Sequence, residues 1–126
     1  MIRVNEIAFV AYPVKDKQRA RDFYEGLLGL KPTKDLDMPE GFWIEYDLGP
    51  NTLALSNFWK PSTDPAQAGP TVGLEVGNYD EAVATLKGKA VPFLMETMET
   101  PFCHLSVISD PDGNSLFIHK RKPGHN

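Results

Sequence analysis

The chain has 126 residues, 41% of them hydrophobic and 24% charged, with a formal net charge of −4. This length makes one domain, or two small units sharing a core, and the apolar content excludes a disordered chain. The acidic balance argues against nucleic acid and anionic membrane as partners, and no run approaches the roughly 18 apolar residues of a membrane span. One cysteine, Cys103, excludes an intrachain disulfide. A lone cysteine and an opening segment without an apolar leader suit a cytoplasmic protein.

Ile2 to Tyr12 carries apolar residues up to Pro13 and predicts a strand. Ala20, Phe23, Tyr24, Leu27 and Leu28 then fall at helical spacing, giving one apolar face. Asp16 is the expected N-cap and Gly29 the left-handed stop. Three strands are expected near 31–36, 42–48 and 52–58, parted by the turn residues Pro39-Glu-Gly and Gly49-Pro-Asn. Residues 61–70, rich in Pro and Ala, read as a linker. The order then repeats, with a strand over 71–77, a helix over 79–87, and strands near 91–97, 102–109 and 115–121. Asn78 followed by Glu81 resembles a capping box, and Gly88 is the expected helix end.

The repetition extends to residues. Ile7-Ala-Phe-Val-Ala matches Val72-Gly-Leu-Glu-Val at an offset of 65. Asp47 to Leu55 matches Asp110 to Ile118 at an offset of 63. The fold expected is therefore α+β: two tandem βαβββ modules, residues 1–60 and 71–126, forming a concave mixed sheet with helices outside.

Strand alternation sorts the side chains by face. Ile7, Phe9, Phe42, Ile44, Tyr46, Leu53, Leu55, Val72, Leu74, Val76, Leu105, Val107, Leu116 and Ile118 form the set expected beneath the helices. Their neighbours should line the open face: Glu6, Val10 and Tyr12; Trp43 and Glu45; Ala54, Ser56 and Phe58; Thr71 and Glu75; His104 and Ser106; Phe117 and His119. Aromatic walls with a few polar groups suit a small organic ligand. A half-solvated sheet face is the plainer alternative. His119, beside Lys120-Arg-Lys, reads as an ordinary strand-end residue, and Cys103 as a small buried hydrophobe. No glycine-rich nucleotide-binding motif is present.

Ala20-Arg-Asp-Phe-Tyr-Glu-Gly-Leu-Leu-Gly-Leu, the turn Asp110-Pro-Asp-Gly-Asn and the opening Glu6-Ile-Ala-Phe-Val together resemble the vicinal oxygen chelate superfamily, the glyoxalase/bleomycin-resistance/dioxygenase fold. The resemblance spans nearly the whole chain and implies a single glyoxalase-like domain over 1–126, often paired as a homodimer. It also implies a divalent metal held by residues of the first and last strands of each module. Those positions carry over to Glu6 and Thr71, and to Ala54 and Phe117. Only Glu6 among them is a good ligand, so loss of the metal site, and no cofactor, is expected.

The leading expectation is a metal-free, small-molecule-binding member of this superfamily. Trp43, Ser56, Phe58, Thr71, Ser106 and Phe117 would contact the ligand. Glu6, Glu45 and His104 are the candidate catalytic groups if it transfers protons rather than sequestering. The alternatives are a metal-dependent lyase or dioxygenase of the same superfamily, and an interaction module with a vestigial cavity.

Overall fold

The computed structural model describes residue 3, residues 5–59 and residues 71–124. The expected linker, residues 61–70, lies outside them, as does part of the start of the first expected strand. The chain divides into two compact units, Met1–Pro61 and Ser62–Asn126.

Unit 1 runs β1 (Val10–Pro13), α1 (Lys17–Arg21), β2 (Lys34–Met38), β3 (Gly41–Leu48) and β4 (Asn51–Ser56). Its sheet has the order β1-β4-β3-β2, with β1 parallel to β4 and the other pairs antiparallel. Asp16 caps α1 as expected, its side chain accepting from the Arg19 amide at 2.9 Å. From Asp22 to Leu27 the helix widens into a π-helical stretch, in which the Leu28 amide donates to the Phe23 carbonyl. Gly29 then stops it at φ 75°, the left-handed conformation that glycine adopts without a steric penalty.

Phe42, Ile44 and Tyr46 on β3 and Leu53 and Leu55 on β4 are buried with Ala20, Phe23 and Tyr24 of the helix. The expected face of these two strands is therefore the observed one. The edge strand β2 is exposed throughout and is tied to the helix by charge. Lys17 bonds Asp35 and Asp37 at 2.7 and 2.9 Å, and Arg21 bridges Asp35 and Glu25. Such exposed pairs are individually weak, so they fix where β2 lies more than they stabilise it.

Tyr46 stacks on Tyr24 and donates its hydroxyl to Glu25 at 2.9 Å. Burial, reinforced by the Glu25 carboxylate, pushes the phenol pKa well up. A folded-state pKa above the unfolded value of about 10 means full stabilisation below about pH 10. That contribution is lost as pH rises from there through the folded value. Tyr46→Phe is expected to cost about 1.5–3 kcal/mol near neutrality, the worth of a hydrogen bond to a charged group. It should also flatten the alkaline loss seen in urea melts above about pH 10. An alkaline limb identical in both proteins would show that another group titrates.

Unit 2 repeats the topology with β5 (Val72–Glu75), α2 (Tyr79–Gly88), β6 (Phe93–Glu99), β7 (Cys103–Ser109) and β8 (Ser115–Arg121), in sheet order β5-β8-β7-β6. Asn78 caps α2 by accepting from the Glu81 amide. Gly88 is the last helical residue, as expected, and the left-handed turn follows it. Ala90 makes that turn at φ 58°, with the Val91 amide reaching back to Leu86. β6 is irregular: its register with β7 shifts between Phe93 and Met95 and again between Met95 and Met98.

Two face assignments are corrected. The first strand begins at Val10, with Ile7 and Phe9 outside it, 83% and 45% exposed. Val10 pairs with Leu53 and Tyr12 with Leu55, so Val10 and Tyr12 share the helix-covered face. The two modules align by their helix caps: Asn78 stands 62 residues after Asp16, and Val72 stands 62 after Val10. The offset of 65 set the first strand three residues out, and an odd shift inverts the faces.

On β7, Ile108 pairs with Leu116 and Ser106 with Ile118, which are the buried residues of β8. His104 continues that row, 5.8 Å ring to ring from Tyr79 of α2. His104 and Ser106 therefore lie on the helix side, while Leu105 and Val107 take the open face.

Candidate functional site

Each sheet has one face covered by its helix and one left open, and the open faces carry the candidate chemistry. In unit 1 the centre is Trp43. Its indole NH donates to Glu45 Oε2 at 2.8 Å, and Lys34 Nζ approaches the other carboxylate oxygen at 3.6 Å. Glu45 thereby fixes the indole plane. Phe9 meets Trp43 edge-on with centroids 5.1 Å apart, and Phe58 lies tilted at 6.1 Å. Leu36, opposite Trp43 across the β2–β3 ladder, extends the surface. Phe9, Phe58 and Leu36 are each 45–50% exposed, so the cluster is a surface and not a core.

Ser56 is fully buried. Its hydroxyl donates to the Phe42 carbonyl and accepts from the Phe58 amide, so it orients the strand end that carries Phe58. Asn57 does the same from the next position, accepting from the Phe42 amide at 2.8 Å. Gly41 is required beside it, since a Cβ there would sit 2.1 Å from Asn57 Oδ1. Glu6 lies before β1 in an exposed segment, apart from the strand expected to present it.

In unit 2 the open face carries Leu105, Val107, Met95 and Met98 from β7 and β6, with Phe117 and His119 from β8. Gly73 pairs with Phe117, and a Cβ there would make only ordinary contact with the Phe117 Cβ, at 3.8 Å. The Thr71 hydroxyl is engaged with Ser115 Oγ at 2.6 Å. His119, expected to be a plain strand-end residue, instead has Nδ1 2.6 Å from Glu75 Oε1. Strand alternation puts both on one open face, but neither belongs to a tight sequence motif.

His104, on the opposite side, approaches Glu99 at 3.4 Å. Lys122 holds the Glu99 carboxyl below its usual range. Ser106 is buried beneath α2, and its hydroxyl meets no partner among the described residues. Ser106→Ala should therefore raise stability by about 1 kcal/mol, by removing an unpaired buried hydroxyl. A lower Tm would show that the hydroxyl has a partner, such as an internal water.

The donor set does not fit the divalent metal that the resemblance implies. Of the positions it implies, Ala54 and Phe117 have no side-chain donor, the Thr71 hydroxyl is engaged with Ser115, and Glu6 lies in an exposed segment before β1. Among the described residues, no three His, Cys, Asp or Glu side chains are grouped as a metal would require.

No curated protein matches the chain in sequence. Its fold is widely shared among solved structures. An antibiotic-binding protein from a Streptomyces species is 22% identical with a TM-score of 0.76, over 97% of this chain and 100% of that one. The trypanothione-dependent glyoxalase I of Leishmania major is 25% identical with a TM-score of 0.75, over 93% and 87%. A glyoxalase family protein from Enterococcus faecalis is 23% identical with a TM-score of 0.72, over 90% and 96%. The family model of the Glyoxalase/Bleomycin resistance protein/Dioxygenase superfamily matches residues 6–118. With the duplicated βαβββ topology, this match makes the chain a member of that superfamily.

Proposed function

We propose that the chain binds a small organic molecule with a planar apolar body on the Trp43 face, holding it without a metal. The cluster of half-buried Trp43 with exposed Phe9 and Phe58, its indole fixed by Glu45, carries this reading. Aromatic faces left open to water stack against a flat ligand at little conformational cost. The Lys34–Glu45 pair at the rim supplies charge to orient a polar group. Glu45 is already bonded to the indole, so its role here is to position Trp43. The Streptomyces relative binds an antibiotic, which fits retention of a ligand on this fold. The lyase and dioxygenase alternatives need metal donors where Ala54 and Phe117 stand. The reading places the protein in the cytoplasm, as a homodimer.

The test is to incubate the purified protein with metabolite pools and identify retained species by native mass spectrometry. Retention of a planar, partly apolar compound by wild type, lost in Trp43→Ala, is the expected result. Retention unaffected by that substitution would overturn the assignment.

A further inference from the structure

The Glu75–His119 pair lies outside the reading above. Parallel pairing of β5 with β8 sets the two residues side by side, with Nδ1 2.6 Å from Oε1. The second carboxylate oxygen accepts from the Arg121 amide at 2.8 Å, and the Arg121 guanidinium stands 3.8 Å from the first. Burial acts to raise the Glu75 pKa, but the Arg121 amide, the imidazole and the guanidinium outweigh it and hold the carboxyl below its usual range. Glu75 is therefore an ionised acceptor, and a neutral His119 must carry its proton on Nδ1. That leaves Nε2 with a free lone pair. The ring is about one-third exposed, with Leu105 opposite it on β7 and Phe117 two residues along β8.

We propose that Glu75 and His119 form a general-base site, which takes a proton from a small carbon or oxygen acid with an apolar body resting on Leu105 and Phe117. The proton passes to Nε2, and the electron pair of the broken bond stays with the ligand. The imidazolium so formed is stabilised by the Glu75 carboxylate, as in other carboxylate–histidine pairs. His119 is the catalytic residue and Glu75 the positioning residue that sets its tautomer.

The probe is 5-nitrobenzisoxazole, whose conversion needs a base alone. Loss of its ring C–H proton forms the nitrile as the N–O bond breaks, and the electron pair of that bond stays on the oxygen of the single product, a coloured cyanophenolate. At about pH 8 wild type should exceed the buffer rate. His119→Ala should lose at least about tenfold of that excess, within the usual worth of a general base. His119→Asn, which can still donate to Glu75, should lose as much while keeping the fold. Glu75→Gln should lower the rate, and nitrogen NMR should show Nε2 unprotonated in wild type but protonated in this variant. A wild-type rate at background, an undiminished rate in both His119 variants, or a proton on Nε2 in wild type would each overturn the proposal. The Trp43 reading is tested with another residue and readout, so failure here leaves it standing.

Discussion

Phe42→Ala is expected to lower the stability of unit 1 by about 3–5 kcal/mol, the usual cost of deleting a buried aromatic ring. Phe42 is 5% exposed, lies between β3 and the helix, and has Lys17 Nζ above its ring at 5.8 Å. Its backbone bond to Asn57 survives the substitution, so the loss isolates the ring. Urea denaturation should give a lower midpoint at an unchanged slope. Protein that remains folded should retain its ligand, because the ring points away from Trp43. A cost below about 1 kcal/mol would place Phe42 outside the core.

The neighbouring substitution should do the opposite. Trp43→Ala is expected to weaken binding of the retained compound by at least about thirtyfold, the loss of a typical aromatic anchor. Calorimetric titration of that compound is the measurement. The fold should hold, because Trp43 faces the open side with Phe9 and Phe58 and carries little of the helix-covered core. Trp43→Phe should fall between, keeping a ring but losing the bond to Glu45. Affinity independent of residue 43 would remove the aromatic cluster from the binding surface.

Whether a face could be read from sequence depended on how unambiguous each strand's alternation was. On β3, Phe42, Ile44 and Tyr46 alternate with polar or amphipathic neighbours, so Trp43 and Glu45 were placed on the correct side. On β7 the run Leu105-Ser-Val-Ile offers two phases, and only the ladder with β8 selects the one holding Ile108. The hydroxyl of Ser106 and the ring of His104 went to the wrong side with it. The first strand was misplaced because its apolar residues are spread over more positions than the four that pair. The helix caps, Asp16 and Asn78, were the better guides to the duplication, being fixed by local hydrogen bonds rather than by apolar content. The Glu75–His119 contact depends on the parallel register of β5 and β8, which no local pattern encodes.

Among the described residues each sheet has two outer strands, and each is ill suited to recruiting a foreign one. β2 carries Lys34, Asp35 and Asp37 along its length. β6 is broken by two register shifts, which disturb the straight row of amides and carbonyls a new strand would need. β1 and β5 have four residues each, and β1 ends in Pro13, which has no amide to offer. Edge-to-edge aggregation is thereby discouraged by backbone geometry and charge. The sheet faces are left free to carry exposed aromatic residues without the strand margins turning that exposure into fibril growth.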